Sequence, residues 1–261
     1  ESSIIGTAVG MSVAGWKPVV EIQFGDYIWT AMMQIRNEVA TIRYRSNNTW
    51  TCPMVIRVPV GGYIHGALCH SQSIDGYFMH LPGIYIAYPS CASDAKGLLK
   101  MACRMNDPVL FMEHKGLYRQ GYAATEEPDS DYILPFGKGK YVAKGDELTV
   151  ITWGAMVQKT VEATQLLNLP NNIVEIIDLR TLNPIDMDII ESSVKKTSKV
   201  LVVHEDNMTN GPGAEISALI VDKYFQLLDA PVRRVAAKDS PVPFNWILEE
   251  KVLPQSQEIA D

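Results

Sequence analysis

The chain has 261 residues, 47% hydrophobic and 20% charged, with a formal net charge of −7. This length accommodates one large domain or two ordinary ones, each with its own core. No apolar run approaches the roughly 20 residues that cross a bilayer, and an acidic chain without a basic stripe is a poor partner for duplex nucleic acid.

The chain opens "ESSIIGTAVGMSVAGW", without a methionine and already inside a small-residue helix, so upstream sequence is expected to be missing. "PVVEIQF" (18–24) has strand composition. After it, Ile28, Met32, Ile35, Val39 and Ile42 recur at spacings of four and three, with Arg36, Asn37 and Arg43 off the stripe, which predicts an amphipathic helix. Next come a strand "PMVIRVPV", a short helix "SQSIDGYFMH", a strand "GIYIAYPS", a helix "SDAKGLLKMACRM" capped by Ser93 or a neighbour, and a strand "PVLFMEH". Residues 116–147 keep no period and read as a linker. A second alternating set follows, with strands "LTVITWG", "NIVEIIDL", "KVLVVHE" and "PVRRVAA" interleaved with helices at 156–168, "PIDMDIIESSVKK" and "GAEISALIVDKYFQLL". Two α/β domains with open, mostly parallel sheets are therefore expected, at 1–115 and 148–261, the first lacking its beginning.

"GGYIHGALCHSQS" (61–73) gathers two of only five histidines, His65 and His70, among glycines and hydroxyls. Zinc is a poor reading, because Cys52, Cys69, Cys91 and Cys103 form no CxxC pair and the histidine spacing is not HExxH. Two readings stay open: a loop whose imidazoles bond nearby backbone, or a catalytic loop that uses an imidazole near neutral pH. The cysteines, in contexts such as "MACRM", suit reduced thiols in a cytoplasmic protein.

Seven motifs in order, "EIQFGDYIW…RNEVATIRYRS", "GGYIHGALCHSQS", "HLPGIYIAYPS…DAKGLLK", "DPVLFMEHKGLYR", "DLRTLNPID", "VVHED" and "DSPVPF…LE…LP", cover nearly the whole chain. Together they resemble the beta subunits of the thiamine-diphosphate-dependent first component of 2-oxo acid dehydrogenase complexes, the branched-chain type more than the pyruvate type. The resemblance implies a transketolase-like pyrimidine-binding domain, with a parallel sheet whose N-terminal part is missing, followed by a transketolase C-terminal-like α/β domain. It implies oxidative decarboxylation of a 2-oxo acid, branched-chain or pyruvate, with acyl transfer to lipoamide. An alpha subunit, or a fused alpha-like region, would hold the diphosphate of thiamine diphosphate through magnesium, in a heterotetramer docked on a dihydrolipoyl acyltransferase core. In keeping with that division, the GDG motif and paired asparagines of a diphosphate site are absent, and "GDY" at 25 and "GDE" at 145 do not supply them. The location implied is the cytoplasm of a bacterium or the mitochondrial matrix of a eukaryote.

By position, Glu1 matches the family carboxylate beside the pyrimidine N1′, while Gln23 and Tyr27, with Phe24 between them, match positions lining the pyrimidine ring. His70 matches the histidine credited with proton transfer as the acyl unit passes to lipoamide, and His65 is expected to support its loop. Without the resemblance, Glu1 is an acid in a first helical turn and Tyr27 a core aromatic. His80 and His114 are expected to be structural, and His204 a satisfied polar group at a strand end. Some relatives bind potassium through backbone carbonyls at positions matching Ala102, Met105 and Asp107. The alternative function is a catalytically inert scaffold that docks to the acyltransferase core.

Overall fold

Strands β2 (Val55–Val60) and β4 (Val109–His114) are almost continuously apolar, and they pair in parallel over six residues, from Val55 with Val109 to Val60 with His114. Strands of this composition need cover on both faces, which places them at the centre of a sheet. In the computed structural model, which describes residues 1–261, they are flanked by β1 (Val19–Glu21) on one side and β3 (Tyr85–Ala87) on the other. The second sheet is centred on β6 (Leu148–Thr152), parallel to both β7 (Val174–Asp178) and β9 (Val200–Asn207). Beyond β9 lies β10 (Arg233–Ala237), again parallel.

Helix α1 (Ser2–Val13) leads into the first sheet, and α4 (Asp75–Met79) and α5 (Ala92–Ala102) connect its strands. In the second half α6 (Met156–Leu166), α7 (Met187–Thr197) and α8 (Pro212–Tyr224) play that part, and α9 (Trp246–Val252) and α10 (Ser256–Ala260) close the chain. One apolar core of 32 residues runs from Ile5 through Ile56, Leu110 and Ile151 to Ile220, so the two sheets share an interior.

The stripe from Ile28 to Ile42 faces that core, with Ile28, Ile35, Val39 and Ile42 buried. Its backbone, however, is a 3-10 turn at Gly25–Ala31, a short α2 (Met32–Gln34), a π turn at Ile35–Val39 and α3 (Ile42–Arg45). The hydroxyl of Thr41 donates to the Asn37 carbonyl, a local bond that competes with the regular helical ladder. Helix α5 starts one residue before Ser93, whose backbone N–H donates to Thr125 Oγ1, and no side chain caps it.

Two strands depart from the expected division. β5 (Lys140–Ala143) lies in the stretch read as linker, and pairs antiparallel with β7 at the edge of the second sheet. β8 (Thr181–Asn183) follows β7 in sequence yet pairs antiparallel with β3, at the edge of the first sheet. Both are too short to carry a period.

Polar contacts stitch the halves together. Arg180 grips the buried Asp94 through Nε and Nη2 at 3.0 and 2.9 Å, and Lys140 reaches the same carboxylate. Burial works to raise the Asp94 pKa, but Lys140 and Arg180 outweigh it and hold the carboxyl below its ordinary value. The Trp153 indole N–H donates to Asp75 Oδ2 at 2.9 Å, and the Gly76 N–H to Asp206 Oδ2 at 2.9 Å.

Burial, reinforced by the charge of Asp206, raises the Asp75 pKa to about 8 against the opposing Trp153 hydrogen bond. The folded chain thus keeps a proton that the unfolded chain releases near pH 4, so this carboxyl's contribution to stability falls as pH rises from about 4 to about 8. Asp75→Asn keeps an oxygen for Trp153 and does not titrate. It is expected to reduce the loss of stability with rising pH by up to about 1.4 kcal/mol per pH unit in that window. Urea denaturation of both proteins across the window checks this, and parallel pH profiles would show that Asp75 ionises normally.

Candidate active site

Ligands of open α/β sheets bind beyond the carboxyl ends of the strands. β1 ends at Glu21, and the chain passes the buried Ile22 and the exposed Gln23 into the turn at Gly25–Ala31. That turn presents Thr30 to the start of α1. Thr30 Oγ1 donates to Glu1 Oε2 at 2.9 Å, and Ser2 Oγ donates to the Thr30 carbonyl at 2.7 Å. Glu1 stands at the N-cap of α1 but accepts no hydrogen bond from the helix's own N–H groups. Its carboxylate is turned toward the 25–31 segment instead.

The Tyr27 hydroxyl donates to His70 Nε2 at 2.8 Å, and His70 Nδ1–H donates to the Gly66 carbonyl at 3.2 Å. A carbonyl only accepts, so the neutral imidazole carries its proton on Nδ1 and offers Nε2 to Tyr27. Phe24 packs edge-on against both rings, with centroids 4.5 Å from His70 and 5.6 Å from Tyr27. Tyr27, Phe24 and His70 therefore form one cluster, joined to Glu1 through Thr30, whose hydroxyl also contacts the Tyr27 carbonyl at 3.1 Å. The Gln23 side chain makes no protein hydrogen bond and remains free beside them.

Two charged residues behind the cluster carried no sequence signal beyond following a strand end or a glycine. Lys115 is 8% exposed, with its Nζ 5.7 Å from the Phe24 ring centre and without a hydrogen-bond partner, and Asp26 Oδ2 is buried and equally unpartnered. Burial lowers the Lys115 pKa to about 8 against the pull of Asp26 and Glu205, and burial raises that of Asp26 against the pull of Lys115.

The loop carrying His70 is conformationally unusual. Gly61, Tyr63, His65 and Ala67 all have positive φ, between 57° and 85°. Non-glycine residues held there cost on the order of 1–3 kcal/mol each. Gly61 lies flat on the His114 ring, where a Cβ would come within 2.2 Å of Nε2, and a Cβ on Gly62 would come within 2.4 Å of Leu253 Cδ1. His114 is buried, with Nδ1 accepting from the Gly116 N–H at 3.0 Å and Nε2–H donating to Glu205 at 2.5 Å. His65 donates through Nδ1–H to Glu249 at 2.5 Å.

His204 differs from the expectation of a satisfied polar group. It is fully buried, neither ring nitrogen has a partner, and it stacks on Trp153 at 4° and 5.7 Å. Burial, with Arg234 nearby, lowers its pKa to about 3, so it behaves as a flat neutral ring filling the space between Trp153 and the turn at Gly211–Gly213.

Of the carbonyls expected to ligate potassium, that of Met105 is already taken by an ammonium. Lys17 Nζ donates to the carbonyls of Arg104 and Met105, each at 3.0 Å, and to Asn106 Oδ1 at 3.2 Å. The Ala102 carbonyl accepts from the Met105 N–H, and the Asp107 carboxylate is engaged by Arg43 at 2.6 Å. A tethered ammonium already supplies the positive charge there. The Glu1 cluster, by contrast, fits an aminopyrimidine: a carboxylate with a free oxygen, a free amide at Gln23, and aromatic rings to lie against it.

Comparison with known proteins identifies the family. The profile of the transketolase pyrimidine binding domain matches residues 1–120, and that of the transketolase C-terminal domain matches residues 137–259. The chain is 45% identical to the 2-oxoisovalerate dehydrogenase subunit beta of Bacillus subtilis, over 96% of this chain and 76% of that protein. It is 41% identical to the mitochondrial 2-oxoisovalerate dehydrogenase subunit beta 2 of Arabidopsis thaliana, over all of this chain and 72% of that one. The beta subunit of the B. subtilis pyruvate dehydrogenase E1 component is 40% identical over all of this chain and 79% of its own length. A solved split-gene transketolase, an inactive beta4 tetramer, shares the fold with a TM-score of 0.79 at 21% identity, over 99% of this chain and 78% of that one. No helix here is long and apolar enough to cross a membrane. With two transketolase domains in tandem and relatives of this identity along its whole length, the chain belongs to the beta-subunit family of the 2-oxo acid dehydrogenases.

Proposed function

We propose that this chain supplies the pyrimidine side of a thiamine diphosphate site for oxidative decarboxylation of a 2-oxo acid, branched-chain or pyruvate, with acyl transfer to lipoamide. The reading rests above all on the Glu1 carboxylate, which makes no cap bond to its own helix and is held by Thr30, on the segment that carries Tyr27. Relatives named for 2-oxoisovalerate and for pyruvate support the substrate class. An alpha partner holds magnesium and the diphosphate, and a dihydrolipoyl acyltransferase core receives the acyl unit. Trp29, Met33 and Tyr44, exposed on the segment that carries Tyr27, supply apolar surface for such a partner. The bacterial relatives favour a cytoplasmic setting, and the plant relative a mitochondrial one.

Bound thiamine diphosphate supplies the carbon nucleophile and the electron sink for loss of carbon dioxide. Glu1 holds a proton toward the pyrimidine N1′, and Gln23, Phe24 and Tyr27 orient the ring. His70 acts later. When the sulfur–sulfur bond of the lipoyl dithiolane opens, the departing sulfur needs a proton, and His70, having first taken up a proton at Nε2 while Nδ1–H stays held by the Gly66 carbonyl, returns it from Nε2 as an imidazolium. The Tyr27 hydroxyl sits on that nitrogen and keeps it aimed.

Glu1→Gln removes the shared proton with almost no change of shape. It is expected to abolish hydrogen exchange at the cofactor's C2 while leaving thermal melting unchanged, and C2 exchange at the wild-type rate would sink the assignment. His70→Ala is expected to lower acyl transfer to a lipoyl domain by about 10²-fold, with a much smaller fall in decarboxylation read with an artificial electron acceptor. Equal losses in the two assays would instead make His70 a group that positions substrate. The Lys17 contacts support a chain that needs no potassium. Its melting temperature is expected to be the same in potassium and choline chloride, whereas Lys17→Ala should melt lower and recover in potassium. A wild-type chain that melts higher in potassium would refute this.

A further inference from the structure

We propose that Glu249 is a positioning residue for His70, acting through a clamp that the C-terminal half places on the loop at 61–73. The proposal rests on the role given to His70 above.

Left-handed backbone at three non-glycine residues in five persists only where the surroundings over-determine it. Within the loop, the Gly61 N–H donates to the Gln72 carbonyl and the Gly66 N–H to Ser71 Oγ. The Ala67 carbonyl accepts from the His70 N–H and from Gln72 Nε2, and a further set of polar holds comes from the second half of the chain. Glu205 accepts from the Gly62 N–H at 2.6 Å and from Ser73 Oγ at 3.4 Å, so one carboxylate ties both ends of the loop. The Tyr63 hydroxyl donates to the Pro254 carbonyl at 2.6 Å, and Gln72 Oε1 accepts from the Val242 N–H at 3.3 Å. At the centre stands Glu249 of α9, 1% exposed, whose Oε1 accepts from the His65 N–H at 3.3 Å and whose Oε2 accepts from His65 Nδ1–H at 2.5 Å.

These two bonds fix His65 in its positive-φ conformation, and His65 directly precedes Gly66. The Gly66 carbonyl is the acceptor that sets the tautomer and direction of the His70 ring. The sequence of contacts is therefore Glu249 to His65, His65 to Gly66 through the chain, and Gly66 to His70. Glu249 lies outside the Glu1, Tyr27 and Phe24 contacts, so its loss should affect the step that needs an aimed Nε2 and spare the steps that do not.

The test uses the enzyme assembled with its partner subunits. Glu249→Ala is expected to lower acyl transfer to a lipoyl domain about 10-fold or more while artificial-acceptor decarboxylation changes less than about 2-fold. Glu249→Gln, which retains an acceptor, should lose less. The double variant with His70→Ala should be no slower than His70→Ala alone, because the two act as one unit. Hydrogen–deuterium exchange should speed up across residues 61–73 in Glu249→Ala. Unchanged exchange there overturns the clamp, as do equal losses in both assays or additive effects in the double variant. A loosened loop together with acyl transfer untouched by His70→Ala supports the clamp and removes the role assigned to His70, so the two failures are told apart.

Discussion

Glu205 sits near the end of β9 with its carboxylate buried, where an unpaired charge would cost on the order of several kcal/mol. It is paired on every side by the first half of the chain: the imidazole of His114, the backbone of Gly62 and the hydroxyl of Ser73. Burial works to raise its pKa, and His114, the Gly62 N–H and the charge of Lys115 more than reverse that, holding it below the ordinary value. The loop between β2 and α4 can be tightly kinked because this carboxylate takes up its ends. Removing it would leave a buried imidazole and a buried amide without their acceptor.

From this constraint a division of labour follows. The first sheet, with α1 and the turn at Gly25–Ala31, carries the groups suited to cofactor chemistry, all near the carboxyl end of β1. The second sheet contributes no group to that cluster. It supplies bracing: Glu205, Glu249, the Pro254 carbonyl, and Trp153, which reaches across to Asp75. A rigid brace under a strained loop is one way to hold an imidazole to the few tenths of an ångström that proton transfer demands.

Much of this was legible in the sequence where one physical signal dominated. Apolar runs gave β2, β4, β6, β7 and β9, and the spacing of Ile28, Ile35, Val39 and Ile42 identified the buried side of a segment whose backbone is not a regular helix. β5 and β8 were invisible because three or four residues at a sheet edge, "KYVA" and "TLN", carry no period of their own. Resemblance, rather than pattern, drew attention to Glu1, Gln23, Tyr27 and His70. Even so, it could not reveal that Tyr27 bonds His70, 43 residues away, or that His65 is held by Glu249, 184 residues away. The first pairing comes from two loops of the first half meeting and the second from the packing of the two halves, and no local spacing encodes either. His204 differs for a related reason, since its burial depends on Trp153, a strand away in the sheet, as well as on the nearby Gly211 and Gly213.

β8 belongs by sequence to the second half and by pairing to the first sheet, where it covers the outer edge of β3. Without it, β3 would present a row of open backbone donors and acceptors, the kind of template on which foreign strands add. The two halves are therefore not interchangeable modules. A recombination event that exchanged the C-terminal half would also exchange the strip that seals the first sheet, so a hybrid must match its donor at "TLN" as well as at the interior. An exchange of halves that left β8 behind would unseal the edge of β3.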